Sequence, residues 1–370
     1  MNVQELPVKN EASLAFARRD DYQFFGVIVI LLAIVGAVVD RPEMAMWVGF
    51  ALAAYSAIAN DSIQTLGTFL ASNSQRTWVW QWLFMGGIFV ATTVYGWSQY
   101  QGDVSYERLL SKGFDKAPTE FTYLQLAAPI VLLILTRYKM PVSTTFLLLS
   151  CFATSSKGIV AMTTKSLGGY VIAFFVSIFL WYVLEPKLKE AWKSPAGAIW
   201  RPLQWVATGL LWSVWLMQDM ANIAVFLPRG GNIGPGLSVG ELVAFVSIIF
   251  FGLGLLFYKR GEAIQEIVNE KKGVADVRGA TLIVFVYALI LYVFKFYSKV
   301  PMSTTWVFIG LLAGREIAMS LRAVRLAGQS STLKAARTMI FKDLRAVTFG
   351  FVISLILASV VNPVVLVSLF

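Results

Sequence analysis

The chain of 370 residues contains no histidine and a single cysteine, Cys151, set inside an apolar run. Those absences exclude an intramolecular disulfide, a thiolate zinc site, a haem histidine ligand and any histidine-based triad or proton relay. Charge is also scarce. Asp, Glu, Lys and Arg make up 14% of the residues against 57% hydrophobic, and the mean hydropathy is +0.68. Such a composition excludes a water-soluble globule or a disordered chain and marks a polytopic membrane protein. Acidic residues are the scarcer sign, 21 against 31 basic ones. In a membrane protein that excess marks loops held on the cytoplasmic side, so nucleic acid is not an expected partner. The N-terminus lacks the basic-then-apolar order and small-residue cleavage site of a signal peptide, so the first apolar segment is expected to be retained.

What is present is a series of long apolar runs. A span needs about 20 mainly apolar residues to cross about 30 Å of hydrocarbon. Eleven segments qualify: 22-39, 45-72, 78-97, 121-136, 142-162, 167-184, 203-227, 237-258, 280-297, 301-320 and 346-370. Trp78, Trp97, Trp181, Tyr182 and Tyr258 stand near segment ends, as interfacial aromatics do. If all eleven cross, one face collects 22 of the 31 Lys and Arg and the other eight, with Lys157 inside a span. Making the fifth and tenth segments re-entrant reduces the split to about 17 against 13. Full crossing is therefore expected, with the N-terminus cytoplasmic. The chain then divides into an N-terminal segment 1-21, a first half 22-184, a cytoplasmic linker 185-202 and a second half 203-370. The basic stretches 259-279 and 321-345 fall on the cytoplasmic face. In the second, Val324, Leu333, Met339 and Ile340 are spaced as on a helix, which suits either an anionic membrane surface or a solvated linker. The loop 98-120 shows no chemistry of its own.

Two elements recur. Asn60, Asp61 and Gln64 in the second segment resemble Gln218, Asp219 and Asn222 in the seventh: each carboxylate has an amide just before it and another three residues after it. Pro141-Val142-Ser143-Thr144-Thr145 likewise pairs with Pro301-Met302-Ser303-Thr304-Thr305. Asp61 precedes Ser143 by 82 residues and Asp219 precedes Ser303 by 84, so a duplicated unit is the economical account. Five crossings separate the two acidic motifs, which makes the repeat inverted in topology. The expected fold is thus an all-α polytopic membrane protein, an inverted-topology repeat transporter with discontinuous helices and about 11 transmembrane segments. Substrate sites in that architecture lie near the midplane, where the halves meet, and it argues against a membrane enzyme.

The residue types suit a cation beside an anion. An ionised carboxylate near the bilayer centre costs at least about 2.5–3.5 kcal/mol and needs a cation or a proton. Asn60, Asp61 and Gln64, and Gln218, Asp219 and Asn222, offer all-oxygen ligation to a hard cation, sodium first. The alternative is plain helix-to-helix hydrogen bonding. Pro-x-Ser-Thr-Thr reads as a helix start, with proline in the first turn and hydroxyls capping free amides. Two such starts converging would aim N–H groups and positive dipole ends at one anion; ordinary capping is the alternative. Lys157 is a candidate charge partner for a carboxylate or the anion, or a lysine snorkelling to the interface. Arg315 in the counterpart segment has no evident role.

These motifs resemble the inorganic phosphate transporter (PiT) family of cation-coupled symporters, which carries duplicated Gly-Ala-Asn-Asp-Val-Ala-Asn-Ala and Pro-Val-Ser-Thr-Thr-His motifs. Ala59, Asn60 and Asp61, and Asp219 to Asn222, match parts of the first; Pro141 to Thr145 and Pro301 to Thr305 match the second, with Met302 in place of one valine. The resemblance implies phosphate binding by Ser143, Thr144, Thr145, Ser303, Thr304 and Thr305, and sodium or proton coupling through Asn60, Asp61, Asp219 and Asn222. Phe146 and Trp306 stand where the family has histidines, Gln64 replaces the second Asn of the first motif, and Gln218 replaces the first Asn of the other. The chain resembles a divergent member.

The function expected is sodium-coupled uptake of inorganic phosphate by alternating access in the cell (plasma or inner) membrane. Sulfate or another tetrahedral oxyanion is the alternative substrate, protons the alternative coupling ion, and a passive anion channel or a membrane scaffold the rivals of another class. No cofactor is expected beyond sodium as coupling ion. The partners are the oxyanion, the cation and the lipid bilayer, with a homodimer left open.

Overall fold

Backbone polar groups in lipid can be satisfied only within the segment or by a closed barrel, and the computed structural model is helical, with no strand among the described residues. Described are residues 11-73, 75-110, 113-114, 117-138, 142-191, 193-230, 234-259, 277-327 and 330-369. The helices are α1 (Glu11–Val38), α2 (Pro42–Thr65), α3 (Gly67–Ser72), α4 (Trp78–Gln99), α5 (Tyr123–Arg137), α6 (Ser156–Ala191), α7 (Trp200–Ala224), α8 (Val239–Tyr258), α9 (Val277–Tyr297), α10 (Thr304–Ala327), α11 (Ser330–Val361) and α12 (Pro363–Leu369). Between α5 and α6 lie a wide helical turn, Thr145–Leu149, and a tight one, Ser150–Phe152. Among the described residues five helices are long and apolar enough to cross a membrane: Asp21–Val38, Ser156–Leu184, Val239–Tyr258, Val277–Tyr297 and Leu333–Val361. The chain is an integral membrane protein.

Several boundaries depart from the apolar runs. The second run is not one helix: α2 stops at Thr65 and the chain resumes after Leu66 as α3, which supplies a discontinuity four residues past Asp61. The fifth run ends at Phe152 rather than 162, because Thr154 and Ser155 break the helix and the Thr154 N–H is taken by Gly113 O at 2.8 Å. α6 then starts eleven residues before the expected sixth segment and runs through Ala191, well into the expected linker. The stretch 321-345 is helical wherever it is described, shared between α10 and α11. In it Leu333, Met339 and Ile340 are half-buried while Lys334 and Arg337 are exposed. α11 ends where Asn362 turns its amide onto Ser150 O (3.0 Å) and Ala153 O (2.8 Å) and Pro363 opens α12. The segment 1-10 and most of the basic stretch 259-279 lie outside the described residues.

The helices that carry the motifs pack in two matching pairs. Ser56 on α2 donates to Pro129 O on α5 at 2.8 Å, and Gln218 on α7 donates to Leu291 O on α9 at 3.1 Å, both across a separation of 73 residues. In each half, then, the acidic motif packs against the helix that leads into the Ser-Thr-Thr motif. Asn60 with Thr136, further along, shows that the first pair runs parallel, and Arg278 at the start of α9 reaches Ser194 in the segment before α7, as a parallel second pair requires.

A third parallel pair, α6 with α10, depends on small residues. Gly310 and Gly314 sit one turn apart on α10, and a methyl group added to either would stand 2.4 Å from Tyr170 O or 2.2 Å from Phe174 O. This is the close backbone approach that a Gly-x-x-x-Gly stripe permits between membrane helices, and Ser177 adds a hydrogen bond to Leu311 O at 2.6 Å. Because the clash is with backbone, the helices must separate to relieve it. Gly314→Leu is therefore expected to destabilise the protein by at least about 1–3 kcal/mol, read as a lowered melting temperature in detergent; an unchanged melting temperature contradicts the tight seam.

Candidate functional site

The two acidic motifs and the two Ser-Thr-Thr motifs meet in one buried network. In the first half, Asp61 is 1% exposed. It accepts from Asn60 Nδ2 at 2.7 Å on one oxygen and from Thr144 Oγ1 at 2.6 Å on the other. Asn60 Nδ2 also reaches Val142 O (2.9 Å) and Thr144 Oγ1 (3.3 Å), while its carbonyl accepts from Thr136 Oγ1 at 3.3 Å. In the second half, Asp219 is 3% exposed. Asn222 Nδ2 donates to it at 2.9 Å and Thr304 Oγ1 at 2.6 Å. The threonine-to-carboxylate contact is the same length in both halves. Gln64 lies on α2, but its side chain is outside the described residues.

The Ser-Thr-Thr motifs cap their helices alike. Ser143 Oγ accepts from Phe146 N and Ser303 Oγ from Trp306 N, both at 3.3 Å. This corrects one expectation. Pro301 does not occupy the first helical turn, since α10 begins only at Thr304; the serine hydroxyl supplies the cap and the proline keeps the approaching chain extended. Pro141 lies outside the described residues. The two starts are also unequal, one opening a helix of 24 residues and the other only the short turns to Phe152. They nevertheless converge: Thr145 Oγ1 donates to Met302 O at 3.2 Å, across the halves. Phe146 and Trp306 touch with ring centroids 5.5 Å apart, and Phe351 of α11 packs on both. Thr305 is buried with them.

The electrostatics are those of two buried carboxylates near enough to repel each other. Two neutral oxygens beside Asp219 have no hydrogen-bond partner among the described residues, Gln218 Oε1 and Asn222 Oδ1. Buried acceptors left this way are costly, and a hard cation is a ligand that amide oxygens beside a carboxylate can serve. The described residues hold no cluster of three His, Cys, Asp or Glu. One carboxylate with amide and hydroxyl oxygens suits a hard monovalent ion better than a transition metal.

Other site residues carried little signal in the sequence. Thr136, Ser166 and Tyr287 hold the network from outside: Ser166 Oγ accepts from Ser303 N at 2.8 Å, and the Tyr287 hydroxyl donates to Thr304 O at 3.0 Å. The part of the loop 98-120 around Asp103 to Arg108, unremarkable as sequence, is folded against the site. Asp103 accepts from Ser105 N (2.7 Å) and Glu107 N (2.6 Å), steadying left-handed residues Tyr106 (φ 58°) and Glu107 (φ 60°). This directs the buried Arg108 inward, where Nε donates to Met217 O at 2.7 Å and Nη1 approaches Lys299 O at 3.3 Å and Val300 O at 3.4 Å. Arg108 lies within electrostatic reach of Asp219. Lys157 is exposed on the first turn of α6, as a snorkelling lysine would be; the lysine buried against the second motif is Lys165. Arg315 is buried with Glu316 at 2.9 Å.

The sequence matches no protein-family model and no curated relative. Among solved structures the chain is similar to one described as the sodium-dependent phosphate transporter. The TM-score is 0.59 at 16% identity, over 91% of this chain and 98% of that one. The chain shares the fold of that structure, over nearly the whole of both chains.

Proposed function

We propose that the chain is a secondary transporter that takes up inorganic phosphate, driven by sodium, by alternating access between two inverted halves. The observation that carries this reading is the single buried network joining Asp61, Asp219 and both Ser-Thr-Thr motifs, with Gln218 Oε1 and Asn222 Oδ1 lacking partners beside Asp219. Sodium is assigned to the two carboxylates with Asn60, Gln64, Gln218 and Asn222. The oxyanion is assigned to Ser143, Thr144, Thr145, Ser303, Thr304 and Thr305, where cation charge offsets repulsion between carboxylates and substrate. The equal 73-residue offset of the helix pairs supports a repeat. The basic excess on one face supports an N-terminus in the cytoplasm, and residence in the cell membrane is part of the same reading.

One observation favours a second reading. Phosphate at neutral pH carries a proton that wants an acceptor, and the positions after each Ser-Thr-Thr hold the rings of Phe146 and Trp306. Sulfate has no such proton. Proteoliposomes loaded without sodium and placed in labelled phosphate or sulfate distinguish these cases. Accumulation of phosphate above equilibrium only with a sodium gradient is the expected result. Sulfate alone accumulating reassigns the substrate, flux that only equilibrates indicates a channel, and no flux of either anion rejects the transporter.

Thr144→Val and Thr304→Val keep shape but remove the hydroxyl on each carboxylate. Each is expected to weaken sodium-dependent uptake by about 10-fold, the loss of one hydrogen bond to a charged group. Uptake kinetics over a range of sodium and phosphate concentrations check this, and unchanged kinetics in both variants remove the threonine-to-carboxylate contacts from the transport site.

A further inference from the structure

Three basic side chains gather where the chain enters the second Ser-Thr-Thr motif. Arg108 is 2% exposed and Lys165 9%. The Lys165 ammonium donates to Ser298 O at 2.8 Å and Val300 O at 2.6 Å, and Arg108 Nη1 approaches the same two carbonyls at 3.5 and 3.4 Å. Ser166, next to Lys165, accepts from Ser303 N, so this lysine stands level with the motif. The third, half-buried Lys295, meets Arg108 at Met217: its ammonium contacts Sδ at 2.9 Å while Arg108 Nε donates to the carbonyl at 2.7 Å. Both lysines lie within electrostatic reach of Arg108, and neither bonds to a carboxylate among the described residues.

Hydrogen bonding does not account for the charge. Neutral donors serve carbonyls equally well, whereas like charges brought together out of water repel each other and lose hydration. The neighbouring charges do not cancel it. Glu107 pairs with Lys299, and in the same loop layer the buried Asp103 and Arg229 add one charge of each sign. That leaves Asp61 and Asp219, which sodium neutralises under the reading above. With sodium bound, three positive charges remain, of which a monoanion offsets one and a dianion two. A buried excess of charge is costly. Coulomb attraction falls only in proportion to distance, so these cations favour an anion without touching it.

We propose that Arg108, Lys165 and Lys295 set the charge of the cargo: the site takes a tetrahedral dianion, hydrogen phosphate or sulfate, in preference to a monoanion such as dihydrogen phosphate. The proposal rests on the reading of the site as one for an oxyanion beside sodium.

Tetrahedral anions that differ in charge at one fixed pH test this. The full chain in proteoliposomes, under a sodium gradient, takes up labelled phosphate, or labelled sulfate if that is the anion accumulated. Monofluorophosphate competes against it in one arm and difluorophosphate in another, a pair differing by one oxygen exchanged for fluorine and one unit of charge. Sulfate and perchlorate form a second such pair. In the wild type each dianion is expected to inhibit about 10-fold more strongly than its monoanionic counterpart. Lys165→Met and Lys295→Met are each expected to reduce that ratio to about threefold, while Lys165→Arg keeps it. Lys295→Met is the variant safer for folding, since the Lys295 ammonium rests on Met217 Sδ and the rings of Tyr106 and Phe296. Monoanions that inhibit the wild type as strongly as dianions, or a ratio unchanged in both methionine variants, overturn the proposal and leave anion transport standing. Failure of every anion to be taken up or to inhibit rejects the oxyanion site itself, and this proposal with it.

Discussion

Asp61→Asn and Asp219→Asn, each in the full chain in proteoliposomes, are expected to lose sodium-driven anion accumulation by about 30-fold or more while remaining folded. Removing one member of a buried charge contact costs about 2–5 kcal/mol, and each 1.4 kcal/mol is tenfold. The cost falls on the ion-bound form. Without an ion, the asparagine keeps the shape and an oxygen to accept from Thr144 or Thr304, and it relieves a burial penalty of about 2.5–3.5 kcal/mol. Melting temperature is accordingly expected to hold or rise as transport falls. That opposition separates the present account from one in which the carboxylates merely join helices, for which the asparagine variants keep full transport. It also separates it from a scaffold role, which neither variant would disturb.

Arg108→Ala is expected to act in the opposite sense, lowering stability by about 3–5 kcal/mol. The side chain is 2% exposed and serves the carbonyls of Met217, Lys299 and Val300, which flank Asp219 and the second Ser-Thr-Thr motif. Its removal leaves several acceptors buried without a donor, and a charge that balances Asp219 is gone. Arg108→Lys is expected to recover only part of the loss, because an ammonium cannot reproduce the planar fork. Thermal unfolding in detergent reads both variants; a melting temperature unchanged by Arg108→Ala makes the loop that carries it incidental to the site.

The parts of this site that were legible in the sequence were those repeated in it. Asp61 and Asp219 stood out as carboxylates in apolar runs, and the near-equal spacing to Ser143 and Ser303 showed which serine belonged to which acid. The same reading missed Arg108, because nothing in a charge-balanced loop indicates that Asp103 folds it inward. Lys157 drew attention for lying inside an apolar run, but inside a run is not inside the protein: it is exposed, and Lys165 is the one buried. Breaks were harder to see than spans. Hydropathy counts apolar residues without asking where each N–H goes, so the Thr154 and Ser155 break and the merging of the basic stretch into α10 and α11 escaped it. The Gly310 and Gly314 seam was present as a pattern, yet its meaning depended on Tyr170 and Phe174 of a distant segment.

The central claim is that cation and anion share one site, and equilibrium linkage tests it most directly. Phosphate affinity of the purified chain is measured by calorimetry with and without sodium, and sodium affinity with and without phosphate. If the ions are neighbours, each raises the affinity of the other by the same factor, about 5–150-fold for couplings of ordinary strength, and Asp219→Asn abolishes the effect in both directions. Phosphate binding that is indifferent to sodium, or coupling that survives Asp219→Asn and Asp61→Asn, contradicts the account.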